Sequence, residues 1–239
     1  ATLATALQTD PGAPGPLLLQ ARRQAARGEV KAALESVASA RHRHADKALL
    51  HQFEGELMLL GKGDPKGAEA AFNAAIQARP DYAPAHAGLV GLALQQHDKA
   101  LARQRMEQMS KAAPRHPQTL LVQGQVALQD YQLDLAQERA QQLMRTAPDD
   151  VRVLTLAGES ALRSGAFSQG QAYLTRVLQK APDSLGVRKL MAQSHLKRGN
   201  TAAALEVLGP SLDSGKADGA AYALAAQAHL KDGHPSKAL

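Results

Sequence analysis

Between residues 157 and 182 the apolar positions fall at helical spacing. Leu174, Val177 and Leu178 lie three and four residues apart on one face, behind the small pair Ala157 and Gly158. The pattern predicts two short helices on either side of Gly165, the second stopping at Pro182. It then recurs. Pro80, Pro114, Pro148 and Pro182 are each 34 residues apart, and Gly165, Gly199 and Gly233 step by the same 34. Ala68, Ala102 and Ala136 keep the interval, Gly170 takes the next place, and Ala204 and Ala238 resume the series. A fixed period of this length marks an array of helical hairpins, one quasi-linear body in which each unit touches only its neighbours.

Carried along the chain, the pattern predicts helix pairs at 17–27 with 30–42, 48–60 with 65–79, 83–95 with 98–112, 117–129 with 132–147, 151–163 with 166–181 and 185–197 with 201–208, then a last first helix at 219–231. PGAPGP, residues 11–16, reads as a linker-like turn too rich in Pro and Gly to be helical. The repeats are bounded at 14–47, 48–82, 83–116, 117–150, 151–184 and 185–218. Residues 1–13 read as the end of a preceding repeat, with Ala6, Leu7 and Pro11 in the places of Ala75, Ile76 and Pro80. Residues 219–239 read as a truncated repeat whose HPSKAL opens another second helix. Both ends cut a repeat where a terminal unit needs a polar cap, so the sequence reads as a piece of a longer array.

Each recurrent position has a physical role. The proline after a second helix cannot continue it and fixes the turn into the next unit. Asp81, Asp149 and Asp183 follow three of those prolines and are expected to cap or orient the next helix. Gly165, Gly199 and Gly233 are expected at positive φ in the hairpin turns. Gly124, Gly158 and Ala192, again 34 apart, keep bulk off the contact between paired helices. Pro210 is expected to end or kink the last second helix near Leu208.

This small–Gly–Ala–Pro spacing resembles the tetratricopeptide repeat family across essentially the whole chain. The resemblance implies an all-α, right-handed superhelical solenoid of antiparallel hairpins, about six and a half repeats long. It also implies a non-catalytic scaffold, without cofactor or metal, that holds a protein or peptide partner in a concave groove. His195 and His229 depart from the family by replacing the usual aromatic of the first helix, and Phe72 is the one Phe in the second-helix aromatic place. The run SQGQAYLTRVLQKAP and the following VRKLMAQSHLKRGNTAAALEVLGPSLDSGKADGAAYALAAQAHL are similar to the interior of the TPR lipoproteins of bacterial exosortase (PEP-CTERM) sorting and exopolysaccharide systems. That narrower likeness implies a periplasmic scaffold held at the outer membrane by a lipidated N-terminus outside these residues.

Composition narrows the reading further. Aromatics make up 3% and Trp is absent, which suits closely packed short helices and argues against a sandwich or barrel. Zero Cys excludes a disulfide framework and thiolate metal sites from these residues. A net charge of +6 points mildly to anionic partners, acidic polysaccharide or nucleic acid among them, but it is spread along the chain. GELMLLGKG, residues 55–63, imitates a phosphate loop with one residue too many, and Gly63 stands where Ser or Thr must hold magnesium. Arg41-His42-Arg43-His44 lacks the carboxylate or Cys support of a metal site and reads as a solvated loop. His195 and His229 occupy matching places of adjacent first helices and read as packing histidines.

The groove is the better candidate. Outward places of the first helices give Gln118, Gln125 and Gln129, then Arg152, Thr155, Glu159 and Arg163, then Lys189, Gln193 and Lys197, then Gln227 and Lys231. On the later units five cations meet one carboxylate, suiting an extended, acidic partner. Arg152, Arg163, Lys189 and Lys197 are expected to stack as a basic strip quenched by Glu159 alone.

Overall fold

The computed structural model describes residues 14–41 and 46–237. Among them are thirteen α-helices, a closing 3-10 turn and no strand. The chain divides into two compact units, Ala1–Val122 and Gln123–Leu239. The first holds α1 (Pro14–Ala26), α2 (Val30–Arg41), α3 (Lys47–Lys62), α4 (Pro65–Ala78), α5 (Ala83–Gln95) and α6 (Lys99–Ala112). The division falls within α7 (Pro117–Gln129). The second unit continues with α8 (Leu133–Met144), α9 (Val151–Arg163), α10 (Phe167–Lys180), α11 (Leu185–Lys197), α12 (Thr201–Asp213), α13 (Gly219–Lys231) and the turn Pro235–Lys237. No described helix is long and apolar enough to cross a membrane.

In the first unit, α2 and α4 are each covered by the first helices on their two sides. Leu17 and Ala21 of α1 meet Ala33, Val37 and Ala40 of α2 and Leu50, Phe53 and Leu57 of α3 in one buried cluster. Phe72 of α4 is 1% exposed and fills the next. It is seated by two glycines. A Cβ on Gly55 would stand 2.7 Å from the ring, and one on Gly88 2.6 Å. Burying such a side chain contributes roughly 1.5–3 kcal/mol, which offsets the ~1 kcal/mol that each of the two helical glycines costs.

The second unit repeats the plan with smaller side chains. Leu154 and Leu162 of α9, Leu174 and Val177 of α10, and Val187 and Met191 of α11 form one core. Ala192 and Leu196 of α11, Ala204 and Leu208 of α12, and Ala221, Ala225 and Ala228 of α13 form the next. Gly158 and Gly170 meet between α9 and α10. A Cβ on Gly170 would lie 3.0 Å from the Gly158 carbonyl oxygen, and one on Gly158 2.6 Å from Leu174. Ala68, Ala102, Ala136, Gly170 and Ala204 of the 34-residue series are all buried.

Several boundaries differ from the sequence expectation. α1 begins at Pro14, so residues 14–16 of PGAPGP are helical, and residues 11–13 lie outside the described residues. Prolines are tolerated there because first-turn N–H groups have no helical partner to lose. The reading of residues 1–13 as the end of a repeat likewise falls on undescribed residues. The step from Gly28 to Gly63 is 35 residues, and α3 takes up the extra one by running to Lys62 rather than ending at 60. Gly63, at φ 57°, ends it, and the Asp64 N–H closes back on the Met58 carbonyl at 3.1 Å. Residues 55–62 are therefore helix, with no loop to cradle a phosphate.

α8 stops at Met144, three residues early, because the Thr146 hydroxyl and N–H both take the Leu143 carbonyl as the chain bends toward Pro148. α12 runs through Pro210 to Asp213 instead of ending near Leu208. Proline removes the N–H that would reach the Glu206 carbonyl. Buried Leu208 and Ser211 hold the turns on both sides, and Arg188 donates to the Val207 carbonyl at 2.8 Å. The second helix expected from HPSKAL is the 3-10 turn Pro235–Lys237, and residues 238–239 lie outside the described residues.

The helix caps are also redistributed. Asp46, Asp64, Asp98, Asp150 and Asp218 accept the capping N–H bonds. Asp149 instead pairs with Arg176 of the next second helix, α10, at 2.9 Å, and Asp183 with Lys216, in the turn after α12, at 2.8 Å. The hairpin turns show the period in backbone form. Gly63, His97, Tyr131, Gly165, Gly199 and Gly233, spaced by 34, all have positive φ between 57° and 87°.

Candidate functional site

Leu190, Gln193, Ser194 and Lys197 lie at i, i+3, i+4 and i+7 on α11 and so share one face. In the same unit stand Leu162 and Arg163 at the end of α9, the Gly165 turn, Phe167 at the start of α10, and Tyr131 and Leu133 just before and at the start of α8. These ten residues line an open pocket of about 390 Å³. That is large enough for one or two side chains of a partner.

Tyr131 is the unusual wall. It holds φ 57°, where a side chain is strained, and is 76% exposed. The Arg163 guanidinium carbon lies 5.7 Å from the centre of its ring. Phe167 is braced in the same way by Arg198, at 5.2 Å. Across the pocket, the Ser194 hydroxyl is buried, 5% exposed for the residue, without a hydrogen-bond partner. A buried unpaired hydroxyl costs free energy that a bound acceptor recovers.

The cations divide by role. Arg163 donates to the Leu128 carbonyl at 3.0 Å and pairs with Glu159 at 2.6 Å. Lys231, at the same repeat place two units later, donates to the Leu196 carbonyl at 3.2 Å. Both thereby satisfy the last-turn carbonyls of the preceding first helix. Lys197 holds that place in the unit between them, yet it lines the pocket and makes no ion pair among the described residues.

Of the expected groove, the structure brings Arg163, Gln193 and Lys197 together. It does not assemble the basic strip. Arg152 is held by Asp150, the cap of its own helix, at 2.7 Å. Lys189 reaches Asp218 at 2.6 Å, and this hydrogen bond holds that carboxyl below its usual range. Glu159 is therefore not the only quencher. The sequence expectation missed Asp150 and Asp218 because each belongs to a turn rather than to the helix face. Thr155 donates back to the Val151 carbonyl at 2.7 Å. Gln125 and Gln129 on α7 and Gln227 on α13 are exposed, whereas Gln118 is half-buried in the first unit. None of these four lines the pocket.

His195 packs against the second helix of the preceding hairpin. The Gln171 amide lies 3.0 Å from its Nε2, and burial pushes its pKa below the ordinary imidazole value. Its partner is Gln171 rather than His229. Arg41 closes α2, and His42, Arg43 and His44 lie outside the described residues. Among the described residues no group of three or more His, Cys, Asp or Glu stands placed to hold a metal. Tyr131, Leu133, Leu162, Phe167, Leu190 and Ser194 were not among the expected site residues. One signal was available: Tyr131 occupies the glycine place of the 34-residue register.

Solved structures share this fold. A tetratricopeptide repeat protein from Parabacteroides merdae is 14% identical, with a TM-score of 0.66, over 94% of this chain and 89% of its own. A chain of the APC/C Cut9–Hcn1 hetero-tetramer is 17% identical, with a TM-score of 0.80, over 99% of this chain and 46% of that one. PilW, a type IV pilus biogenesis factor, is 14% identical, with a TM-score of 0.65, over 87% and 96%. At these identities the likeness speaks for the fold alone. No curated protein matches the sequence. The tetratricopeptide repeat profile matches residues 59–126 and 161–230, more than half of the chain. With the helical hairpins and the 34-residue register, this establishes that the chain belongs to the tetratricopeptide repeat family, whose members are typically non-catalytic protein-interaction scaffolds.

Proposed function

We propose that the chain is a non-catalytic scaffold that binds an extended, acidic segment of a partner protein. The observation that carries the reading is the convergence of Arg163, Gln193 and Lys197, picked from the sequence as groove residues, on one open pocket of the second unit. The setting we assign is a bacterial envelope system for protein sorting or exopolysaccharide, with the chain in the periplasm and anchored to the outer membrane by a lipid. Supporting it is the likeness of residues 168–182 and 187–230 to the interiors of the exosortase-associated TPR lipoproteins.

The test is cell fractionation followed by cross-linked capture from the envelope fraction, with the parent chain and with Lys197→Glu. The expected result is an envelope protein that the charge reversal releases. Recovery of the chain in the cytosol would overturn the setting, and full capture by Lys197→Glu would overturn the acidic-segment reading. The net charge of +6 favours a second reading, an anion-binding module for acidic polysaccharide or nucleic acid. Its mark is binding that collapses steeply with salt whatever the ligand sequence.

A further inference from the structure

The pocket's chemistry is more specific than its charge. Half of its lining is hydrocarbon or aromatic, with Leu133, Leu162 and Leu190 beside Tyr131 and Phe167. Beside Arg163 of α9, its polar donors Gln193, Ser194 and Lys197 lie on one strip of α11, Ser194 and Lys197 being one turn apart. Ser194 offers a buried O–H with no acceptor. Lys197 offers an ammonium free of the carbonyl-capping bond that Arg163 and Lys231 make from the same repeat place. Donors without acceptors beside an apolar recess call for a ligand carrying an anion next to a bulky apolar group.

We infer that this pocket takes a two-residue element of an extended peptide, a bulky apolar side chain adjoining an Asp or Glu. The apolar side chain enters between the Tyr131 and Phe167 rings against Leu190. One carboxylate oxygen accepts from the Ser194 hydroxyl and the other from the Lys197 ammonium, while the Gln193 amide bonds the peptide backbone. Tyr131 supplies a wall that a glycine at the same turn place could not, which explains why a strained, exposed ring stands there. The apolar recess favours a peptide over an anionic sugar, whose hydroxyls would be left facing Leu133, Leu162 and Leu190. The inference rests on the interaction role proposed above and names the element recognised.

The test is selection of a phage-displayed random hexapeptide library on the immobilised full chain. Isothermal titration of the synthesised winners follows, against the parent, Ser194→Ala and Lys197→Gln. The expected winners pair Phe, Tyr, Leu or Met with a neighbouring Asp or Glu. Ser194→Ala should weaken them about fivefold and Lys197→Gln about tenfold, the worth of a hydrogen bond to the carboxylate from a neutral and from a charged donor respectively. Ser194→Ala removes an unpaired buried hydroxyl, so its melting temperature should not fall, which separates lost binding from lost fold.

No enrichment, winners without the apolar–acidic pair, or winners bound equally by both variants would overturn the inference. So would an alginate oligosaccharide that displaces the winners and binds more tightly than any of them. An envelope partner still captured in the absence of selected peptides would sink this inference alone and leave the interaction role standing.

Discussion

At the scale of single residues, His97 and Tyr131 hold the backbone that four hairpins assign to glycine, at φ 58° and 57°. Holding a side chain in this region costs roughly 1–2 kcal/mol. His97→Gly and Tyr131→Gly should therefore each raise the unfolding free energy measured by chemical denaturation, by about 1 kcal/mol for His97. The gain should be smaller for Tyr131, which also loses its stacking with Arg163. The two should part in peptide binding, with only Tyr131→Gly losing it.

His195 makes a second prediction. Burial and then Arg198 disfavour its charged form in the folded state. A depressed imidazole pKa means that the stability of the neutral ring is fully present above the unfolded value. It is lost as pH falls through that value, so acid favours unfolding. The melting temperature should drop between about pH 7.5 and about pH 5.5, and His195→Gln should flatten part of that drop. An unchanged slope in His195→Gln would remove His195 as a contributor.

At the scale of elements, packing decides which glycines are required. Gly158 and Gly170 let α9 and α10 approach until the Gly158 carbonyl oxygen lies 3.0 Å from where a Gly170 Cβ would stand. Backbone cannot swing aside as a side-chain tip can. Gly170→Ala should cost about 1–3 kcal/mol by forcing the helices apart, more than the helix propensity it gains. Gly91, in the middle of α5, meets nothing within 4 Å. There the same substitution should stabilise by about 0.5–1 kcal/mol. Thermal melts of the two variants should move in opposite directions, and equal shifts would refute the close-approach argument.

At the scale of the whole molecule, the buried clusters of the second unit draw only on residues within it. In repeat arrays stability is close to a sum of unit and nearest-neighbour terms. A fragment covering 117–239 is therefore expected to fold alone, showing helical circular dichroism and a cooperative melt. A fragment that stays unfolded would show that its hairpins depend on residues before 117.

Sequence by itself determined whatever repeats. Each hairpin needs the same small residues, turn and stop, so a 34-residue period predicted the helix pairs, their buried alanines and their glycine turns. It determined less where one residue departs from its place. Pro210 is carried inside α12 because Leu208 and Ser211 are buried on either side of it, and packing of that kind is invisible in a periodic pattern. The groove was legible only in part, because helical spacing tells which face a cation occupies and not what meets it there. Arg152 and Lys189 meet acids in turns, Arg163 and Lys231 meet carbonyls of the preceding helix, and Lys197 alone of the five opens on the pocket without such a partner among the described residues. Tertiary structure made that distinction, since the partner of a charge is set by the neighbouring hairpin and not by the helix that carries it.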